Sequence, residues 1–198
     1  MRLTLLGVGA MSSPRYRPAG LLLSAHGWRV MFDGGMGAEP DRHIDAWLVT
    51  DARAELIREI RRLARTRGTA AAVAGFVRGT LRVEPQPVVH TAHPTYGYLI
   101  DDGRGRAVWA PEFWEFPAWA QGADLMFADA AGWNRPIRFA GNAGGHACVA
   151  DTARAAREHG VRRLVFAHIG RPSIHAIDLG VDPPFGEWGV EGRRYQLR

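Results

Sequence analysis

His43–Leu56 reads HIDAWLVTDARAEL, and the change of pattern inside it decides the fold. Ile44–Val49 is an apolar run of strand length that ends in Thr50. A short polar turn follows, and Ala52–Thr66 then has helical periodicity, with Leu56, Ile60 and Leu63 on one apolar face. Gly68 is a natural stop for that helix. The turn between strand and helix carries Asp51, Arg53 and Glu55. Carboxylates at a strand end can hold a hard cation, whereas a guanidinium stays protonated and is repelled by one.

Outward from this segment the chain alternates short strands with turns. Leu3–Val8 is the first strand, and Leu21–Ala25 with Trp28–Phe32 form a hairpin around His26–Gly27. Asp33–Gly34–Gly35 closes the second arm in a turn. Val73–Leu81 has a weak pattern, and Arg82–Val89 is a strand interrupted by Pro85 and Pro87. Tyr96–Asp101 and Arg106–Trp109 make a second hairpin around Asp102–Gly103. Phe113–Gln121 is expected as a short helix, Asp124–Ala128 and Arg163–Ala167 as strands, and Ala147–His159 as a helix stopped by Gly160. The Gly- and Pro-rich tail from Gly170 is expected to end in the strand Arg194–Leu197. Strands first, then strands mixed with helices, fit two sheets packed together with helices outside.

The 198 residues suffice for one sizeable core and are read as a single domain, 1–198. No apolar stretch approaches the length of a membrane helix, Leu3–Met11 reads as a strand rather than a signal peptide, and a cytoplasmic location is expected. Cys148 is the only cysteine, which excludes an internal disulfide and a thiolate cluster; a buried apolar role is expected for it. All 25 basic residues are arginine and the net charge is +5. They scatter, apart from Arg58–Arg67 and Arg162–Arg163, and Arg58, Arg61, Arg62 and Arg65 share one side of a helix as a solvated face would. Specific nucleic-acid binding is therefore not expected.

Several stretches resemble the metallo-β-lactamase superfamily, in particular its ribonuclease Z and phosphodiesterase branches. Leu5–Leu6–Gly7–Val8–Gly9 is similar to the opening strand and glycine turn, and Val30–Met31–Phe32–Asp33–Gly34–Gly35 to the motif whose Asp supports the metal-ligand loop. Thr50 and the turn after it align with T-H-x-H-x-D-H, where the four ligand positions read Asp51, Arg53, Glu55 and Leu56. Val88–Val89–His90 ahead of Gly97–Tyr98–Leu99–Ile100 resembles the next element, whose ligand would be His90, with His93 as the competitor. Pro111–Glu112 stands where relatives carry a bridging Asp, and Asp124–Asp129 ends as their following acidic strand does. Gly145–His146 resembles the G-H-[ST] element, and Phe166–Ala167–His168–Ile169–Gly170 the last ligand motif.

The resemblance implies an α+β fold, a four-layer αββα sandwich. It implies metal ligands among His90, Glu112, His168, Asp51 and Glu55, with His146 and Asp129 as catalytic groups and Arg53 binding substrate. Two outcomes are open for the replaced turn. In one, Arg53 pairs with Asp51, Glu55 or Glu112, and an ion-pair network fills the metal position; this one is favoured. In the other, one ion of zinc, manganese or iron survives, and Arg53 turns outward to an anionic substrate. The matching functions are a mononuclear metal-dependent hydrolase of phosphodiester or similar esters, and a non-catalytic relative that binds a small anion or a protein partner. Pro183–Val190 is compatible with a lid, an edge strand or homodimer contacts.

Overall fold

The structure, a computed structural model, describes residues 1–197. Two sheets face each other. The first has the order β15-β1-β2-β3-β4-β5, formed by β1 (Arg2–Gly7), β2 (Gly20–Ala25), β3 (Trp28–Asp33), β4 (Ala46–Leu48), β5 (Ala71–Ala72) and β15 (Arg194–Gln196). The second has the order β14-β13-β10-β9-β8-β7-β6, formed by β6 (Phe76–Arg78), β7 (Leu81–Val88), β8 (Thr95–Asp101), β9 (Arg106–Ala110), β10 (Leu125–Ala130), β13 (Leu164–Ile169) and β14 (Glu187–Trp188). A separate two-stranded arm joins β11 (Ile137–Arg138) to β12 (Gly145–His146). The helices are α1 (Ile57–Thr66), α2 (Val149–Glu158) and α3 (Arg171–Asp178).

Alternation along the strands explains the sandwich. Leu3, Leu5, Leu21, Leu23, Val30 and Phe32 of the first sheet face Val83, Tyr98, Ile100, Trp109 and Phe127 of the second in one buried core. On the outer side, Ile57, Ile60, Leu63 and Ala64 of α1 cover Leu22, Met31 and Trp47. Each large side chain buried there contributes about 1.5–3 kcal/mol. Helix α2 packs on β10 and β13 of the other sheet. The layers are therefore helix, sheet, sheet, helix, which is the αββα order expected from the sequence. No helix among the described residues is long and apolar enough to cross a membrane.

Both hairpins and the strand–turn–helix of 43–66 form as read, with four local differences. Helix α1 starts at Ile57 rather than Ala52, because the Asp51 carboxylate accepts the Arg53 amide at 2.7 Å and holds 51–56 in a turn. Strand β7 runs unbroken through Pro85 and Pro87, since β6 pairs only with Leu81, Arg82 and Val83 and leaves the rest as an edge that needs no donor on that side. Phe113–Gln121 yields only a three-residue turn of 3-10 helix at Ala118–Ala120, whereas the tail holds a helix, α3, that its Gly and Pro content concealed. Pro172 lies in the first turn of α3, where its missing N–H costs nothing.

Asp33 ties the two sheets together at one end. Its Oδ1 accepts the Thr50 amide at 2.8 Å and the Thr50 hydroxyl at 3.0 Å; its Oδ2 accepts the Trp109 indole N–H of the opposite sheet at 2.7 Å. Its own carbonyl accepts the Trp47 indole at 2.8 Å. Burial pushes the Asp33 carboxyl up to about 7, against hydrogen bonds that favour its charged form. Asp33→Ala leaves the Thr50 amide and the Trp109 indole without acceptors, and is expected to lower unfolding free energy by about 2–5 kcal/mol. Asp33→Asn, which keeps one acceptor oxygen, should lose less. Guanidinium titration of the three proteins checks this, and equal midpoints would refute the role given to the carboxylate.

Candidate functional site

The carboxyl ends of parallel strands β4, β9, β10 and β13 open on one crevice, the usual location for a ligand on such strands. Thr50–Asp51 follows β4, Pro111–Glu112 follows β9, Asp129 lies near the end of β10, and His168 lies at the end of β13. His146 comes from the β11–β12 arm, and His90 from the loop after β7. A cavity of about 540 Å³ is lined by Asp51, Arg53, Glu55, His90, His93, Glu112, His146 and His168.

Glu112 is central to this cavity. His168 Nε2 lies 3.3 Å from Glu112 Oε1 and His90 Nε2 lies 3.9 Å from Oε2. The imidazoles form a row, with ring centroids of His90 and His146 4.7 Å apart and those of His146 and His168 stacked at 5.2 Å. His90 is pinned by the arm: its Nδ1 lies 2.8 Å from the Gly145 carbonyl, and the Gly145 amide donates back to the His90 carbonyl at 2.8 Å. A carbonyl only accepts, so Nδ1 carries the proton and a neutral His90 presents its lone pair at Nε2, towards Glu112. Phe139 packs edge-on against both His90 and His146, at 5.4 Å each.

His146 Nδ1 lies 2.7 Å from Asp129 Oδ2. That carboxylate is fully buried and also accepts the Phe113 amide at 3.2 Å and the Ala131 amide at 2.8 Å. Burial works against the charge of His146, but the Asp129 carboxylate more than offsets it and raises the imidazole to about 9. Burial likewise opposes the charge of Asp129, yet His146 holds the acid below its ordinary value. His168 differs: burial lowers it to about 4, so it is neutral near pH 7. Burial also raises Glu112. One crevice thus holds a charged imidazole beside a neutral one. His168 has a positive φ of 59°, sparsely populated for a non-glycine residue, and the adjoining Ile169 is fixed by hydrogen bonds with Val8 and Ala10.

The turn after β4 behaves differently from the expected ion-pair network. Arg53 is exposed, and among the described residues it forms no ion pair with Asp51, Glu55 or Glu112. The partner of Asp51 is His93, whose Nε2 lies 3.0 and 2.9 Å from its two oxygens. An imidazole carried on the neighbouring loop reaches the buried carboxylate, while the long guanidinium keeps its hydration by facing the solvent. Of the two histidines before the Gly97–Tyr98 strand, His90 faces Glu112 and His93 faces Asp51. Glu55 is exposed at the rim. Arg171, which the sequence reading passed over, stands beside Arg53 as a second rim arginine with no carboxylate partner among the described residues. Its signal was its place directly after His168–Ile169–Gly170, just past a strand end.

Residues 37–169 match the beta-lactamase superfamily domain. The chain belongs to that superfamily. Superposition on solved structures shows the metallo-β-lactamase fold. A diphosphatase from the PhnP family aligns with a TM-score of 0.77 at 19% identity, covering 100% of this chain and 98% of that one. The metallo-β-lactamase fold protein YhfI of Bacillus subtilis aligns at 0.75 and 15% identity, covering 98% and 99%. The short form of human tRNase Z aligns at 0.68 and 12% identity, covering the whole of both chains at 100% and 100%. No curated protein matches the chain by sequence.

Superfamily members are typically metal-dependent, and the donors here suit one borderline cation by type: two imidazoles that present Nε2 and one carboxylate between them. Among the described residues no three His, Cys, Asp or Glu side chains already stand as a closed cation cage. In the turn after β4, Asp51 is engaged by His93, Glu55 faces solvent, and Arg53 and Leu56 carry no group that binds a cation.

The raised value of His146 sets a stability window. Its folded value, about 9, exceeds the ordinary 6.5, so its contribution is complete below 6.5 and is lost as pH rises towards 9. In chelator-treated protein, Asp129→Asn is expected to bring the His146 resonance back towards ordinary titration and to flatten this alkaline loss. Imidazole NMR and denaturation at pH 6.5 and 9 test both, and an unchanged titration in Asp129→Asn would refute the pairing.

Proposed function

We propose that this protein is a metal-dependent hydrolase of phosphodiester or similar ester bonds, working with one zinc, manganese or iron ion. The observation that carries the reading is the His146–Asp129 pair, which holds a charged imidazole beside the Glu112, His90 and His168 cluster in one crevice. His90, Glu112 and His168 would hold the ion, with Asp51 and Glu55 nearby. Once bound, the ion would supply Lewis-acid polarisation of the scissile group. His146 donates a proton to the departing oxygen, and Asp129 keeps that imidazole charged and oriented at Nδ1 until the bond breaks. Arg53 and Arg171 hold the negative charge of the substrate at the rim, where their guanidiniums are free to form bidentate contacts. Glu112 stands between both imidazoles, and burial that disfavours its bare charge favours a cation beside it.

One observation favours a second reading, a non-catalytic relative that binds a small anion or a protein partner. The first position of the ligand turn, Asp51, is already engaged by His93 at 2.9 Å.

Mass spectrometry after loading with zinc, manganese or iron separates the two readings. The hydrolase reading expects about one ion per chain, lost in Glu112→Ala and in His168→Ala. It also expects hydrolysis of bis(p-nitrophenyl) phosphate, reduced by about 10²–10⁴ in His146→Ala without loss of the ion. Absence of stoichiometric metal with all three ions would replace it by the binding reading.

A further inference from the structure

The outer face of the first sheet carries a second cavity, of about 630 Å³, which shares no lining residue with the crevice. Helix α1 covers the β3–β5 half of that face through Leu22, Met31 and Trp47. Beyond it the register sets arginines in adjacent rows. Arg2 on β1 pairs with Ser24 on β2, and Ser24 pairs with Arg29 on β3. Thr4 on β1 pairs with Arg194 on β15. Their neighbours Leu3, Leu5, Leu23 and Tyr195 are buried inside the sandwich, so Arg2, Thr4, Ser24, Arg29 and Arg194 share the outward side. Directly paired strands lie about 4.8 Å apart, so the stems of Arg2 and Arg29, two strands apart, stand about 10 Å from each other, and the stem of Arg194 lies one strand further out on β15.

Asp41 is the one carboxylate in the lining. It meets Arg29 Nη2 at 2.8 Å and Arg42 Nε at 3.5 Å, and four arginines against one acid leave three positive charges over. Arg29 Nε is buried with no hydrogen-bond partner among the described residues, and Arg2 and Arg194 have no carboxylate partner there. A buried guanidinium N–H without an acceptor is unfavourable, which marks Arg29 as under-satisfied. The hydroxyls of Thr4 and Ser24 lie between the arginines as further donors.

We propose that this groove is a second anion site, taking a small ligand with two or more linked phosphate groups. The compactness of the patch and the carboxylate of Asp41 at its side favour a short oligophosphate over a long nucleic-acid strand, whose contacts would extend along the surface. The ligand's phosphates come either from an inorganic oligophosphate or from a nucleoside polyphosphate, since a guanidinium binds the phosphate oxygens of both.

Calorimetric titration at low salt with chelator present, using inorganic tripolyphosphate and then ATP, tests this independently of metal loading. Both probes are expected to bind, roughly 10-fold more weakly in Arg2→Gln and in Arg194→Gln, and unchanged in Glu112→Ala. Circular dichroism should be unaltered in the two exposed arginine variants. Tighter binding of ATP than of tripolyphosphate assigns a nucleotide, and equal binding of both probes assigns the oligophosphate. The proposal is overturned by the absence of binding, by binding insensitive to Arg2 and Arg194, or by an oligonucleotide whose affinity rises with length and exceeds that of both probes.

Discussion

The buried carboxylate of Asp33 is the contact on which the rest of the site depends. It receives an amide and a hydroxyl from Thr50, at the end of one sheet, and an indole N–H from Trp109 in the other. Thr50 directly precedes the turn that carries Asp51, and Trp109 stands three residues before Glu112. A rigid polar tie between these strands therefore sets the distance between the two halves of the crevice. The backbone of Asp33 accepts a φ of 46° to do so, a conformation favoured far more in glycine than in aspartate. Three donors aimed at one carboxylate make that geometry worth its strain.

The second sheet then arranges charge within the crevice. Asp129 lies inside the protein with amide donors on both oxygens, so its negative charge persists and draws a proton onto His146. His168, stacked on the same ring, is deprived of its proton by burial and by that neighbouring positive charge. The arm completes the arrangement, because Gly145 both donates to and accepts from His90. Gly145 has to be a glycine here: its φ is 155°, and a Cβ would stand 2.0 Å from the Ile137 carbonyl oxygen. A charged imidazole, a neutral imidazole and a carboxylate are thus set apart by environment rather than by residue type.

Much of this was legible in the sequence. Alternating apolar residues marked the hairpins β2–β3 and β8–β9, and the apolar run into Thr50 marked the strand that leads to the crevice. His90, Glu112, His146 and His168, spread over almost eighty residues, were singled out by family resemblance and come together in space. What failed was local competition. Asp51 captured the Arg53 amide and delayed α1, an edge position made Pro85 and Pro87 harmless in β7, and α3 formed within a tail whose composition suggested irregular chain.

The sequence alone determined the kinds of chemistry on offer: which strands are amphipathic, which turns carry carboxylates and imidazoles, and that an arginine and a leucine stand in the turn after Thr50. The tertiary structure decided which groups meet. Asp51 pairs with His93 rather than Arg53, because a loop 42 residues away brings a short imidazole to a buried acid while hydration keeps the long arginine outside. It also decided protonation, since the same residue type is raised to about 9 at His146 and lowered to about 4 at His168 by what surrounds each ring. Burial and distance are properties of the folded chain, and no local pattern encodes them.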